Sequence, residues 1–264
     1  MSDKKCVVVI PAYRKLQSIE LRFLENGLTK TEGFEQVIAA PLGLTIDESF
    51  GSLRALRVER FSKHYFESIK GYNQLMLSFD FYNRFSDFEY LLIHQSDVYL
   101  FKDELSYWCS QSYDYIGAPW YRPAKLNKGP LYSWLFRNLW QPLLVKKRKN
   151  GWLYNKVGNG GLSLRRIPSA LRILNHCSCD LLDAYRHAKS TSYNEDIFWS
   201  IEAPKIDPTF TIPTWKKALK FAIEFEPQTA VKELGDTLPF GCHAPMLIDG
   251  DFWKKYIPEI TITP

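Results

Sequence analysis

Tyr90-Leu91-Leu92-Ile93-His94-Gln95-Ser96-Asp97 is the stretch on which the fold turns. Its apolar part reads as a short buried strand, and Asp97 stands where that strand leaves the core. In an open α/β sheet, ligands bind at the carboxyl ends of the strands. A carboxylate at that point can hold a divalent cation against nucleotide phosphates, because hard cations prefer carboxylate oxygen. The competing role for Asp97 is to cap a helix predicted over about 102–110.

Upstream, Cys6-Val7-Val8-Val9-Ile10 is an apolar, β-branched run of the kind found in a central parallel strand. It opens into Pro11-Ala12-Tyr13-Arg14, and a helix is predicted from about 18 to 28. Gln36-Val37-Ile38-Ala39-Ala40 reads as a second strand stopped by Pro41, and Arg57-Val58-Glu59-Arg60-Phe61 as a third. Leu75, Met76, Phe79 and Tyr82 give helical spacing over 71–85. Strand and helix thus alternate over the first hundred residues, which predicts a doubly wound α/β sheet with a nucleotide-type cleft at its strand ends.

Downstream the pattern loosens. Tyr113-Asp114-Tyr115-Ile116-Gly117-Ala118-Pro119-Trp120 reads as a strand and turn. Val157-Gly158-Asn159-Gly160-Gly161-Leu162-Ser163-Leu164-Arg165 reads as a glycine-rich loop feeding a strand, followed by a helix over about 168–175. Asn194-Glu195-Asp196 opens an apolar helical segment, where Asn194 could serve as an N-cap and the two acids would favour the positive helix end. Without repeats, low-complexity tracts or a clear linker, the 264 residues are read as one domain.

Composition narrows the class. Hydrophobic residues make up 45% and charged residues 24%, the balance of a core-forming globular protein. Aromatic content of 15%, with eight Trp and fifteen Tyr, exceeds what a core needs and suggests a ring-lined groove. The net charge of +5 is concentrated in Lys146-Lys147-Arg148-Lys149 and in Lys216, Lys217 and Lys220. Such runs suit an anionic membrane surface or a lipid pyrophosphate. No zinc-finger spacing, RNA-binding aromatic motif or basic heptad accompanies them, so no nucleic-acid partner is expected. Five cysteines, an odd number, predict reduced thiols in a cytosolic protein. The apolar run after Met1-Ser2-Asp3-Lys4-Lys5 is too short for a signal peptide or a membrane span.

Three elements now stand in fixed order: Gln95-Ser96-Asp97, the loop from Gly158 to Gly161, and Asn194-Glu195-Asp196. In this order the chain resembles glycosyltransferases of the GT-A fold. The phrases Gly71-Tyr72-Asn73, Asp114-Tyr115-Ile116-Gly117-Ala118-Pro119-Trp120, Gly158-Asn159-Gly160-Gly161 and Asn194-Glu195-Asp196-Ile197-Phe198-Trp199 resemble, more narrowly, a bacterial family of surface-polysaccharide and O-antigen synthesis. One branch of that family looks like the galactofuranosyltransferase domain of a bifunctional O-antigen polymerase.

The resemblance implies a mixed, mostly parallel sheet flanked by helices in a single domain, with a nucleotide-binding half at 1–100 and an acceptor-binding half at 101–264. It implies that Pro11, Ala12 and Tyr13 hold the uridine of a UDP-sugar. Asn73, Gln95, Ser96, Asp97, Gly160 and Gly161 would complete the donor site. Asp97, alone or with His243 and the diphosphate, would hold Mn²⁺ or Mg²⁺, the alternative being that Lys or Arg neutralises the leaving group without metal. Asp196, with Glu195 second, would be the catalytic base of an inverting transfer. Gln95 departs from the family, which has an acid there, so Asp97 is the one carboxylate of its triplet. Glycine at 160 and 161 would let the backbone approach the sugar, and Trp120, Tyr121 and Trp152 would stack on the acceptor. That acceptor is read as a glycan, lipid-linked, reached at the cytoplasmic face of the membrane. Two other classes compete. A nucleotidyltransferase should carry a glycine-rich basic loop after the first strand, where this chain has none. A non-catalytic carbohydrate-binding module would have no use for the paired acids at 195 and 196.

Overall fold

The computed structural model describes residues 5–121, 153–188 and 190–261. The first apolar run forms β1 (Cys6–Pro11), buried along its whole length. It is followed by α1 (Ser18–Lys30), β2 (Glu35–Pro41) and β3 (Arg57–Phe61). After α2 (Ile69–Met76) and α3 (Phe79–Asn83) comes β4 (Tyr90–His94). β1 pairs in parallel with both β2 and β4, in register Val9↔Val37 and Val9↔Ile93. Residues on both flanks of β1 are therefore enclosed, which is why the run is uniformly apolar instead of alternating.

The six-stranded sheet has the order β3-β2-β1-β4-β7-β6, where β6 is Tyr115–Gly117 and β7 is Leu162–Arg166. β7 runs antiparallel to β4 and β6, and the other strands share one direction. The expected mixed, mostly parallel sheet flanked by helices is therefore the fold. Chain order reverses between β1 and β4, and the crevice at such a switch point is where α/β sheets bind ligands.

A second sheet has three short strands in the order β5-β9-β8: β5 (Val98–Leu100), β8 (Ala222–Ile223) and β9 (Gly241–His243). It departs from the expectation at the deciding stretch. β4 ends at His94, a turn closed by the Val98 N–H on the Gln95 carbonyl follows, and Asp97 lies just before β5 in the second sheet. Asp97 caps no helix. The next helix, α4 (Leu105–Ser110), has Glu104 at its N-cap position.

Two further differences are local. β2 includes Pro41, paired with Phe61, because a proline at a strand end gives up only a terminal ladder bond. The helix expected over 71–85 is two, since the Ser78 hydroxyl accepts the Phe81 N–H and starts α3 anew. After β7 come α5 (Ile167–His176) and α6 (Cys179–His187). Asn194-Glu195-Asp196 opens α7 (Glu195–Ile197), which passes into a π-helical turn at Phe198–Glu202. No helix among the described residues is long and apolar enough to cross a membrane.

Candidate active site

A cavity of about 560 Å³ opens at the carboxyl ends of β1 and β4. Its wall brings together Pro11, Tyr13, Asn73, Gln95, Ser96, Asp97, Gly160, Gly161, Glu195, Asp196 and His243, drawn from both halves of the chain. Ala12 is the exception among the predicted site residues. It is buried in the sheet, its N–H bonded to the Ala39 carbonyl at 2.9 Å, and it does not reach the cavity. The predicted acceptor platforms are elsewhere as well. Trp120 and Tyr121 line a separate cavity with Tyr154 and Phe225, and the Trp120 ring lies against Gly158. Trp152 and the run 146–149 lie outside the described residues.

The two adjacent acids occupy different environments. Glu195 is 3% exposed and forms a two-point ion pair with Arg165 of β7, at 2.9 and 3.0 Å. Arg165 also donates to the Tyr82 hydroxyl at 2.9 Å and to the Ser163 hydroxyl at 3.1 Å. Glu195 and Tyr82 hold the Arg165 guanidinium firmly charged against the cost of its burial. Glu195 is thus held in a buried two-point ion pair. Among the described residues Asp196 has no ion-pair partner. Burial, then the neighbouring Glu195 charge, push its pKa up to about 7, although its carboxylate accepts the Ile197 N–H at 2.8 Å.

Asn73 of α2 sets the entry to α7. Its Oδ1 accepts the Glu195 N–H at 3.3 Å and its Nδ2 donates to Asn194 Oδ1 at 3.2 Å. Asn194 therefore occupies the N-cap position without capping through its own side chain. The glycine loop is small for a reason the sequence does not state. A Cβ on Gly160 would lie 2.1 Å from Glu195 Oε1, and one on Gly161 would lie 2.2 Å from His243 Nε2. The backbone is close-packed against these two side chains before any ligand is considered.

At the other end of the cavity, His243 Nε2 is 3.3 Å from Asp97 Oδ1, and its Nδ1 is 3.2 Å from Glu224 Oε1. Burial opposes a charge on this ring, but Asp97 and Glu224 outweigh it and raise the pKa to about 10. The ring is an imidazolium at neutral pH, and it holds the Asp97 carboxyl below its usual range against burial. Nearby, Ser96 donates to Glu20 at 2.8 Å, and Glu20 accepts two hydrogen bonds from Arg14, at 2.7 and 2.8 Å.

Asp97 and His243 fit a divalent cation. Adjacent ligands of one octahedral ion, each ~2.1 Å away, stand ~3 Å apart, and such ions commonly take few protein ligands and complete their shell with phosphate and water. Binding would displace the Nε2 proton. Among the described residues no group of three His, Cys, Asp or Glu side chains is placed to hold a metal. A bound diphosphate would have to supply the remaining ligands.

Sequence reasoning did not single out Arg14, Arg165 or Glu224. Arg165 had a signal in the alternation Leu162-Ser163-Leu164-Arg165, which puts Ser163 and Arg165 on one face of β7. Glu224 had one in Ala222-Ile223-Glu224, an apolar run ending in an acid. The exposed basic run is also less free than it reads. Lys216 pairs with Glu233 at 3.1 Å, and Lys217 donates to the Tyr107 hydroxyl at 2.5 Å.

A sheet reversing between β1 and β4, with acids gathered at its carboxyl edge, defines an α/β protein with a cavity at its strand ends. Within that class the chain belongs to the family described as "Protein of unknown function (DUF5672)", which it matches over residues 55–243. No curated protein matches it. Among solved structures it is similar to a glycosyltransferase involved in glycosylation of the major capsid of PBCV-1, at 12% identity and a TM-score of 0.45, over 90% of this chain and 92% of that one. It is also similar to glucosyl-3-phosphoglycerate synthase of Mycobacterium tuberculosis, solved with Mn²⁺ and UDP-glucose. That likeness has 11% identity and a TM-score of 0.34, over 63% of this chain and 57% of that one.

Proposed function

We propose that this chain is a glycosyltransferase that moves a sugar, read from the resemblance as galactofuranose, from a UDP-sugar to a hydroxyl of a glycan acceptor with inversion. The observation that carries the reading is Asp196: a carboxyl on the cavity wall, without an ion-pair partner among the described residues, its pKa pushed up to about 7. A general base works best when its pKa lies near the operating pH. Glu195, fixed by Arg165, raises the proton affinity of Asp196 by its charge and sets where it points.

In this reading Tyr13 and Pro11 hold the uracil and ribose, and Ser96, Asp97 and His243 face the diphosphate. Asp196 takes the proton from the acceptor hydroxyl as that oxygen attacks the anomeric carbon and the bond to UDP breaks. A Mn²⁺ or Mg²⁺ ion held by Asp97 and His243 would stabilise the negative charge developing on the leaving group. A lipid-linked acceptor at the cytoplasmic membrane face fits the basic runs.

The test is UDP release over a panel of UDP-sugars that includes UDP-galactofuranose, with Asp196→Asn alongside. Turnover by the wild type, lost by orders of magnitude in Asp196→Asn while UDP affinity is kept, is the expected result. Full turnover in Asp196→Asn removes the base assignment. Release from no UDP-sugar removes the transferase reading.

A further inference from the structure

The small sheet places one titratable side chain from each of its strands at a common end. Asp97 immediately precedes β5, and β5 runs antiparallel to β9 with Val98 opposite His243, so Asp97 arrives beside the carboxyl end of β9. β8 runs parallel to β9 with Ile223 opposite Cys242. The residue after β8, Glu224, therefore lies beside His243. Its carboxylate is 7% exposed and engaged at both oxygens: Oε1 faces His243 Nδ1 at 3.2 Å, and Oε2 accepts from Asn159 Nδ2 at 2.5 Å. Asn159, held at φ +38, uses its Oδ1 to accept the Gly161 N–H at 3.0 Å.

Resting on the reading of the cavity as a UDP-sugar site, we propose that Glu224 is a positioning residue that ties the diphosphate end of the site to the glycine loop. By accepting from Nδ1 it fixes the His243 ring, whose Nε2 lies 3.3 Å from Asp97 Oδ1 and makes no hydrogen bond of its own among the described residues. A histidine whose second nitrogen is held by a carboxylate is the usual arrangement behind a metal-ligating imidazole. By accepting from Asn159 it holds the left-handed residue on which the Gly160-Gly161 turn depends. One buried carboxylate thus sets both the cation facing the leaving group and the backbone beside the donor sugar. It touches neither, because its own oxygens are used up.

Glu224→Gln keeps the size and removes the charge. Its single carbonyl oxygen can accept from His243 Nδ1 or from Asn159 Nδ2 but not serve both as the two carboxylate oxygens do. Glu224→Asp keeps the charge but is too short to span His243 and Asn159 together, and it serves if the first variant does not fold. Two measurements decide. Titration calorimetry with UDP and Mn²⁺ should show affinity weakened 10–100-fold. The ¹⁵N and N–H resonances of the His243 ring should lose the signature of an Nδ1–H bonded to a carboxylate. Wild-type affinity within twofold, or an unchanged His243 spectrum, overturns the proposal. If the wild type binds no UDP with Mn²⁺, the UDP-sugar reading fails, and the His243 spectrum alone still decides whether Glu224 positions the ring.

Discussion

At pH 6 the Asp196 carboxyl is mostly protonated and cannot accept a proton from an acceptor, and by pH 8 it is mostly free, since its pKa is about 7. kcat/KM should therefore rise about tenfold per pH unit on the acid side and level off near pH 8. The sign for stability is opposite to that for activity. A folded pKa raised above the unfolded value stabilises below the unfolded value, and this is lost as pH rises through about 7. Asp196→Asn should therefore unfold at a higher temperature than wild type at pH 8, by ~2–4 °C for each ~1 kcal/mol relieved. The gain should shrink towards pH 5. A Tm difference that does not change with pH contradicts the buried-carboxylate account. The glycines give a second residue-scale expectation. Gly160→Ala drives a Cβ to 2.1 Å from Glu195 Oε1 in a site already closed by Arg165. It should cost ~1–3 kcal/mol in denaturant unfolding and lower kcat more than it weakens UDP binding.

Between elements, the Arg165–Glu195 pair locks β7 to the start of α7. Breaking it by Arg165→Met leaves a buried carboxylate without its cation and should cost ~3–5 kcal/mol. Replacing both residues by Met removes the stranded charge, so much of that stability should return while activity does not. Recovery of activity in the double variant would show that the pair only holds the fold together. Asn73→Ala, which removes two hydrogen bonds across α2 and α7, should cost ~0.5–1.5 kcal/mol per bond and act on kcat through the aim of Asp196. The pairing also explains what was legible in the chain. β1, β4 and the apolar part of β2 could be read because burial on both flanks leaves an unbroken apolar run. The partnership of residues 165 and 195 could not, because nothing local to Glu195 announces that a strand thirty residues earlier will consume its charge. Hence the acids look alike in sequence and differ in structure. The second sheet could not be read for a related reason: Gln95-Ser96-Asp97 continues in sequence, but Asp97 leads into a different sheet.

Over the whole molecule the charge is +5, yet the cavity wall reverses it. Glu20, Glu67, Asp97, Glu195 and Asp196 line the cavity, while among the described residues its cations are Arg14 and His243. Arg14 is drawn to Glu20, Glu195 is neutralised by Arg165, and His243 is shared between Asp97 and Glu224. Among the described residues, a nucleoside diphosphate entering this wall meets no uncommitted cation and at least one carboxylate. UDP alone should therefore bind weakly. A divalent cation between Asp97 and His243, displacing the Nε2 proton, would shift the local balance by a net positive charge placed where the phosphates must sit. UDP affinity measured with Mn²⁺ should exceed that in chelator by ~100-fold or more, a gain of ~2.7 kcal/mol. Asp97→Asn should remove most of that gain and leave the chelator value nearly unchanged. Equal UDP affinity with and without chelator, in both wild type and Asp97→Asn, would mean that the His243 imidazolium itself faces the leaving group and that Asp97 serves only to hold its charge.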